Sequence, residues 1–362
     1  MLRSAIVVLT LFSIIISRAQ DIAPWCRTTC RASDPFSSNN VLDIRTTPVD
    51  GGIAREIKWH ESEFIVAMLT ERFAERHLVK VEFGPKESFI EDYFGITRYK
   101  VLKREKSFRQ LELLSDMIVV GTSVGTLMFW DLWREEFLYE LPVGEGGISE
   151  LLAHPSGDWL LVVVDHSKLF RFDLASQIVT EVQLQSTNMS TLSTITFSGN
   201  GDLLAAAGTG FIGIWDTEFW QALATSDRPS KPTKKLLFAE DDSQLIVLLE
   251  ATISRWSLSE NTLNFVRQLE PYASKRECDI NDGEISLDGT LLVTTDDCSQ
   301  FRAWDLAADA EINIPHLGSA SEDYQGTELQ FSPDGRYLLV ADIRISGEYG
   351  GTWGLYIVED QS

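Results

Sequence analysis

The stretch TLMFWDL, residues 126–132, closes on a Trp-Asp pair followed by Leu. The pair returns in GIWDT (213–217) and RAWDL (302–306), and degenerate copies fall between, at Phe172-Asp173 and Trp256-Ser257. Counted from Asp131, the steps to Asp173, Asp216, Ser257 and Asp305 are 42, 43, 41 and 48 residues. A period of about 40–45 residues marks one supersecondary unit repeated along a chain.

Each period has the same internal order. ELLAHPSGDWLLVVVDHSKLFRFDL (150–174) reads strand, turn, strand, turn, strand, and so do TITFSGNGDLLAAAGTGFIGIWDT (194–217), KLLFAEDDSQLIVLLEATISRWSL (235–258) and GEISLDGTLLVTTDDCSQFRAWDL (283–306). Short runs rich in Leu, Val and Ile sit between Gly, Asp, Ser and Pro turns, the pattern of buried strands joined by hairpins. A weaker fourth strand follows, as in EFLYELPV (136–143), QIVTEVQL (177–184) and LNFVRQL (263–269). Helical periodicity is missing almost everywhere.

With its Trp-Asp pairs closing third strands and the FSPDG turn at 331–335, the chain resembles the WD40 β-propellers, clearly over 108–342 and loosely over 41–360. That family has Gly-His before the first strand of a blade, where this chain has GEGG (144–147) and no His. The resemblance implies a propeller whose buried His-to-Trp network is altered. One four-stranded blade cannot bury both faces alone, so blades stack around a channel. Trp, or Phe172 and Tyr356 in its place, would fill the wedge between blades, and the Asp after it would accept N–H bonds in the turn to the outer strand. The pair is packing and turn chemistry, not a catalytic dyad.

The expected fold is all-β: a seven-bladed β-propeller of four-stranded antiparallel blades over 41–360. Five blades are marked by third strands at 126–132, 168–174, 211–217, 252–258 and 301–306; 328–358 gives a sixth, and 54–83 with 95–105 a weaker seventh. The chain stops at Ser362, short of an outer strand for the last blade, and VLDIRTT (41–47) is expected to supply the N-terminal strand that closes the ring and protects its edge.

The N-terminus reads as a secretory signal peptide, residues 1–19: a basic MLR, the apolar SAIVVLTLFSIIIS (4–17), then small residues at Ser17 and Ala19. An uncleaved anchor is the alternative, but fourteen helical residues span about 21 Å, short of a roughly 30 Å hydrocarbon core. No later stretch is long and apolar enough to span a membrane. A secreted or extracytoplasmic location follows. Residues 20–40 form an N-terminal segment carrying Cys26 and Cys30; with Cys278 and Cys298 they make four cysteines, an even number suited to disulfides in an exported chain. Three connectivities are open. The favoured one is Cys26–Cys30 and Cys278–Cys298, because the loops holding the latter two emerge on one face of one blade.

Formal net charge is -23, and loss of residues 1–19 removes Arg3 and Arg18 to leave -25. Such a surface repels nucleic acid and anionic lipid. Catalytic motifs are present only in outline. GTSVG (121–125) has the letters of a nucleophile elbow but sits between two strands, where the elbow needs a helix to follow. GTGFIG (208–213) has the letters of a dinucleotide loop but runs into a strand. His60, His77, His154, His166 and His316 show no metal-ligand spacing, and the acidic turns AEDDS (239–243) and TTDDCS (294–299) lack the order of a calcium loop. NMS (188–190) is a glycosylation sequon if the secretory route is eukaryotic. No cofactor and no metal are expected.

Two functions from different classes remain. The first is an exported, non-enzymatic protein-interaction platform, a monomer, whose long loops share the face bearing Cys278 and Cys298. These loops are SDRPSKP (226–232), PYASKRECD (271–279), GSASEDYQG (318–326) and DIRISGEYGGT (342–352). Its candidate partner-binding residues are Arg228, Lys231, Tyr272, Arg276, Tyr324, Arg344 and Tyr349, since Arg and Tyr anchor interfaces. The second is a small-ligand- or metal-binding propeller enzyme, lactonase-like, with Glu150, Asp279 and Glu328 near the channel. Trp133 and Trp220, on the other face, are expected to pack on strands.

Overall fold

The computed structural model describes residues 53–60, 65–72, 75–86, 93–185, 191–227, 233–239, 242–259, 262–269, 278–298, 301–312, 324–333, 335, 337–344 and 351–357. Residues 1–52, with the signal segment, Cys26, Cys30 and 41–47, lie outside them. Among the described residues no helix is long and apolar enough to cross a membrane.

Antiparallel sheets follow one another in chain order. The first holds β1 (Ile53–Trp59), β2 (Ile65–Arg72), β3 (Glu75–Lys86) and β4 (Tyr93–Glu105). The second holds β5 (Phe108–Leu114), β6 (Met117–Thr122), β7 (Thr126–Asp131) and β8 (Phe137–Pro142). The third holds β9 (Ile148–Ala153), β10 (Trp159–Val164), β11 (Lys168–Asp173) and β12 (Ile178–Val182). The fourth holds β13 (Thr194–Phe197), β14 (Leu203–Gly208), β15 (Phe211–Asp216) and β16 (Ala222–Ser226). The fifth holds β17 (Thr233–Ala239), β18 (Gln244–Leu249), β19 (Ile253–Ser259) and β20 (Thr262–Leu269). The sixth holds β21 (Ile280–Ile285), β22 (Leu291–Asp296), β23 (Phe301–Asp305) and β24 (Ala310–Ile312). Among the described residues the last holds β25 (Tyr324–Phe331), β26 (Tyr337–Arg344) and β27 (Gly351–Ile357).

This corrects the expectation of seven four-stranded blades. The propeller has six four-stranded blades, not seven, and the remaining sheet has three strands. Closure among the described residues runs between first strands: Trp59 of β1 donates its backbone N–H to Gln330 Oε1 of β25 (3.0 Å) and its indole N–H to the Gln330 carbonyl (3.3 Å). The proposed closing strand, 41–47, lies outside the described residues.

The core is a series of layers between neighbouring sheets. One layer joins Ile65, Leu69 and Leu78 to Phe108, Ile118 and Trp130; the next joins Val119 and Phe129 to Leu160 and Phe172. Second strands sit between both neighbours and are buried along their length, as in Trp159–Val164. Outer strands keep one face wet, so Phe137–Pro142 contains no buried residue.

The Trp-Asp repeat does what its chemistry suggests. Trp130, Phe172, Trp215, Trp256 and Trp304 are all buried. Asp131 Oδ1 accepts N–H bonds from Trp133 (2.9 Å) and Arg134 (2.7 Å), Asp216 from Phe219 (2.6 Å) and Gln221 (2.9 Å), Asp173 from Ser176 (2.9 Å), and Asp305 from Ala308 (2.7 Å). The indole N–H groups of Trp215 and Trp304 are buried without a hydrogen-bond partner among the described residues, and that of Trp256 turns to Ser254 Oγ (3.0 Å).

Candidate functional site

All seven first strands line one central cavity of about 760 Å³. A first strand pairs with only one neighbour in its sheet, so its channel-side edge presents N–H groups that need partners from elsewhere. Six of the seven strands carry a register shift near the channel mouth. The extra residues are Arg55, Arg109, Ser149, Lys234, Asn281 and Thr327. A β-bulge bends the strand and re-aims the side chains beside it. Here the residue after each bulge faces the channel, giving a ring of Glu56, Gln110, Glu150, Lys235, Asp282 and Glu328, with Thr194 of the unbulged β13 in the seventh place.

The ring acids reach the next first strand. Glu56 Oε2 accepts from the Leu111 N–H (2.6 Å), and Asp282 Oδ2 from the Leu329 N–H (2.8 Å). Glu150 Oε1 accepts from the Ile195 N–H (3.1 Å) and the Thr194 hydroxyl (3.3 Å). One layer deeper the pattern repeats: Glu112 accepts from the Ala153 N–H (3.4 Å), as Gln330 does from Trp59. Two lysines sit among these groups. Lys58 Nζ lies 3.0 Å from Glu112; Lys235 Nζ lies 2.8 Å from Asp282 and 3.1 Å from Glu284.

Burial raises the carboxyls. Glu56 and Glu150 are pushed up to about 8, in both cases chiefly by burial; Lys58 pulls Glu56 down, and the Ile195 N–H pulls Glu150 down, without restoring the usual value. Glu284 is raised by burial against the pull of Lys235, and Glu328 well raised by burial and by the charge on Asp282. Burial disfavours the lysine charges too, but Glu112 and Glu56 outweigh it at Lys58, and Asp282 with Glu284 outweighs it at Lys235, so both ammoniums are held above their usual range. Glu150 Oε2 is enclosed and has no hydrogen-bond partner among the described residues.

The sequence-derived candidates divide accordingly. Glu150 and Glu328 line the channel; Asp279 does not, and its N–H caps Asp297 Oδ1 (2.8 Å). Arg228, Lys231, Tyr272, Arg276 and Tyr349 lie outside the described residues, as does Asn188. Tyr324 and Arg344 are register partners at the ends of β25 and β26. Cys278 and Cys298 are disulfide-bonded, Cα–Cα 5.7 Å. They form with Asp297 a close trio of ligand-type residues, but the sulfurs are bonded to each other. Ser123 sits in the β6–β7 turn, where Gly125 has φ of +74° and a Cβ would meet the Gly144 carbonyl. Gly208 ends β14 and Phe211 opens β15, so no helix follows the glycine run. His154 bonds Ser156 (2.9 Å) and the Gly201 carbonyl (3.1 Å), and His60 lies 3.4 Å from Asp116. Trp220 packs on Trp159; Trp133 donates its indole N–H to Asp116 (2.9 Å) and stays 46% exposed. The channel ring itself escaped sequence reasoning except at Glu150 and Glu328.

No family model matches the sequence, and no curated protein does. Among solved structures, the chain is similar to the β-propeller domain of Cps50 (Swd1) from Myceliophteria thermophila, with a TM-score of 0.65 and 13% identity, over 87% of this chain and 99% of that one. The fold is a WD40-like β-propeller.

Proposed function

We propose that this chain is a non-enzymatic protein-interaction platform, exported after loss of residues 1–19, that docks partners on the face carrying the Cys278–Cys298 disulfide. One observation carries the reading. The ring carboxylates Glu56, Glu150 and Asp282 each accept a backbone N–H from the next first strand, which commits them to holding the strands together. Groups so committed stiffen a scaffold and are poorly placed to move protons on a substrate. What is left for function is surface, and loops on a rigid propeller are where recognition residues collect.

The test is capture on the immobilised chain from envelope and secreted material of the source organism. The variant Arg228→Ala, Arg276→Ala, Tyr324→Ala, Arg344→Ala runs beside it. A protein held by the wild type and lost by the folded variant supports the platform and its face. A second reading, a small-ligand or metal-binding channel, draws on the unpartnered Glu150 Oε2. Stoichiometric metal in the purified protein, lost in Glu150→Gln, would favour it.

A further inference from the structure

The channel changes sign along its length. Below the bulges the ring is mostly acidic, but two of the bulged residues themselves are arginines, Arg55 on β1 and Arg109 on β5. They occupy equivalent places on adjacent blades, and both line the cavity, as does Arg76 at the start of β3. Arg76 Nη1 donates to the Arg109 carbonyl (3.0 Å), which ties the two blades together at this point.

Compensation for this charge is incomplete. Glu71 serves both Arg55 (3.0 Å) and Arg76 (3.8 Å). Arg109 spends its guanidinium on the carbonyls of Phe108 (2.9 Å) and Lys106 (3.1 Å) and has no carboxylate partner among the described residues. Among the described residues these three guanidiniums have one carboxylate within ion-pair distance, Glu71, with Glu56 acting on Arg76 from farther away, on a chain whose formal charge is -23. Arg76 is held below its usual range by burial, with Arg109 and Arg55 pushing the same way and Glu71 opposing. The side chains keep access to solvent, 42% for Arg55 and 23% for Arg76. Guanidinium forks match the paired oxygens of a carboxylate or phosphate, which suits clustered arginines to an oxyanion.

We propose that Arg55, Arg76 and Arg109 form an oxyanion clamp at the channel mouth, and that its ligand is a carboxylate side chain on an acidic peptide segment of a partner. The proposal deepens the platform reading by naming the partner's chemistry, and rests on it for the peptide source. A net negative chain should repel an acidic peptide, so binding would report a local site rather than bulk attraction.

The probes are fluorescein-labelled hexaglutamate, read by anisotropy on the full chain at low salt, and inorganic phosphate as competitor. Hexaglutamate should bind, and phosphate should displace it. The double variant Arg76→Gln, Arg109→Gln should weaken binding at least tenfold, while Arg109→Lys, at an exposed position, should weaken it severalfold because charge remains but the fork is gone. Arg302→Gln, paired with Glu311 elsewhere, should change nothing. Absence of binding, or equal binding by wild type, the double variant and Arg109→Lys, overturns the clamp. Phosphate binding that depends on the arginines, without hexaglutamate binding, overturns the peptide source. Arginine-dependent peptide binding alongside an empty capture experiment would sustain the clamp and count against the platform.

Discussion

At the residue scale, Glu150 shows what enclosure in the channel does to a carboxyl. One oxygen is held by the Ile195 N–H and the Thr194 hydroxyl, and the other has no partner. The folded group titrates at about 8, above its ordinary value of 4.5. Between those values the folded chain holds a proton that the unfolded chain releases. The neutral group's contribution is thus complete below the unfolded pKa and is lost as pH rises through the folded one. Glu150→Gln keeps the acceptor for Ile195 and removes the titration. It should match the wild type near pH 4.5 and become more stable by about 1–2 kcal/mol near pH 8, a fraction of the full linkage of about 1.36 kcal/mol per unit. Denaturant melts at several pH values test this. A parallel pair of stability curves would show that folding leaves the Glu150 titration where it is in the unfolded chain.

At the element scale, the Asp of the repeat is a turn device. Asp216 accepts from two N–H groups of the β15–β16 turn, with Trp220 there at φ of +58°. Asp216→Ala removes a charged acceptor from both donors in an exposed turn, and should cost about 1–3 kcal/mol. Asp216→Asn, which keeps one acceptor oxygen, should recover part of it. A loss below a few tenths of a kcal/mol in urea melts would mean that water serves these donors equally well. This scale also shows what the chain reveals before folding. Second strands are legible because both faces are buried, as the run WLLVVV at 159–164 is, and third strands by the buried aromatic near their end. Outer strands are weak signals because they are half wet, so tracing third-strand aromatics locates sheets without counting their strands. The last sheet has three strands among the described residues, in keeping with a chain that stops short of an outer strand there, and the segment expected to supply a fourth, 41–47, lies outside them. The channel ring is half legible. A polar residue recurs once per period among apolar neighbours, from Glu56 through Glu150 and Lys235 to Glu328. Its direction depends on bulges, and a bulge is set by pairing with a second strand that the local pattern does not encode.

At the scale of the whole molecule, what matters is how the ring of sheets is held shut. Among the described residues an apolar layer joins each sheet to the next in chain order, and the seam between β1 and β25 carries the Trp59–Gln330 pair. Gln330→Leu leaves the Trp59 N–H without its side-chain acceptor while its indole bond to the main chain survives. Losing such an acceptor at a buried donor costs about 1–3 kcal/mol. Because the seam closes the ring, the loss should appear as earlier amide exchange in β1 and β25 together, ahead of the middle sheets. Exchange that rises uniformly would show that the ring opens as one unit.

The disulfide works on the same object from the other side. Cys278 precedes β21 and Cys298 follows β22, so the bond ties a first strand to its neighbour across 20 residues of sequence. In the chain-entropy account a loop of that size contributes about 3 kcal/mol, through the unfolded chain rather than the folded one. Cys278→Ser with Cys298→Ser should therefore lower the melting midpoint without altering the channel, and reductant should carry the wild type to the same midpoint. In a Cys26→Ser, Cys30→Ser background the two routes must converge, since there both remove one cross-link and leave the same packing. A double variant that melts where the oxidised wild type does would mean that the unfolded chain is already confined there, and that the sixth sheet owes its order to the layers on either side.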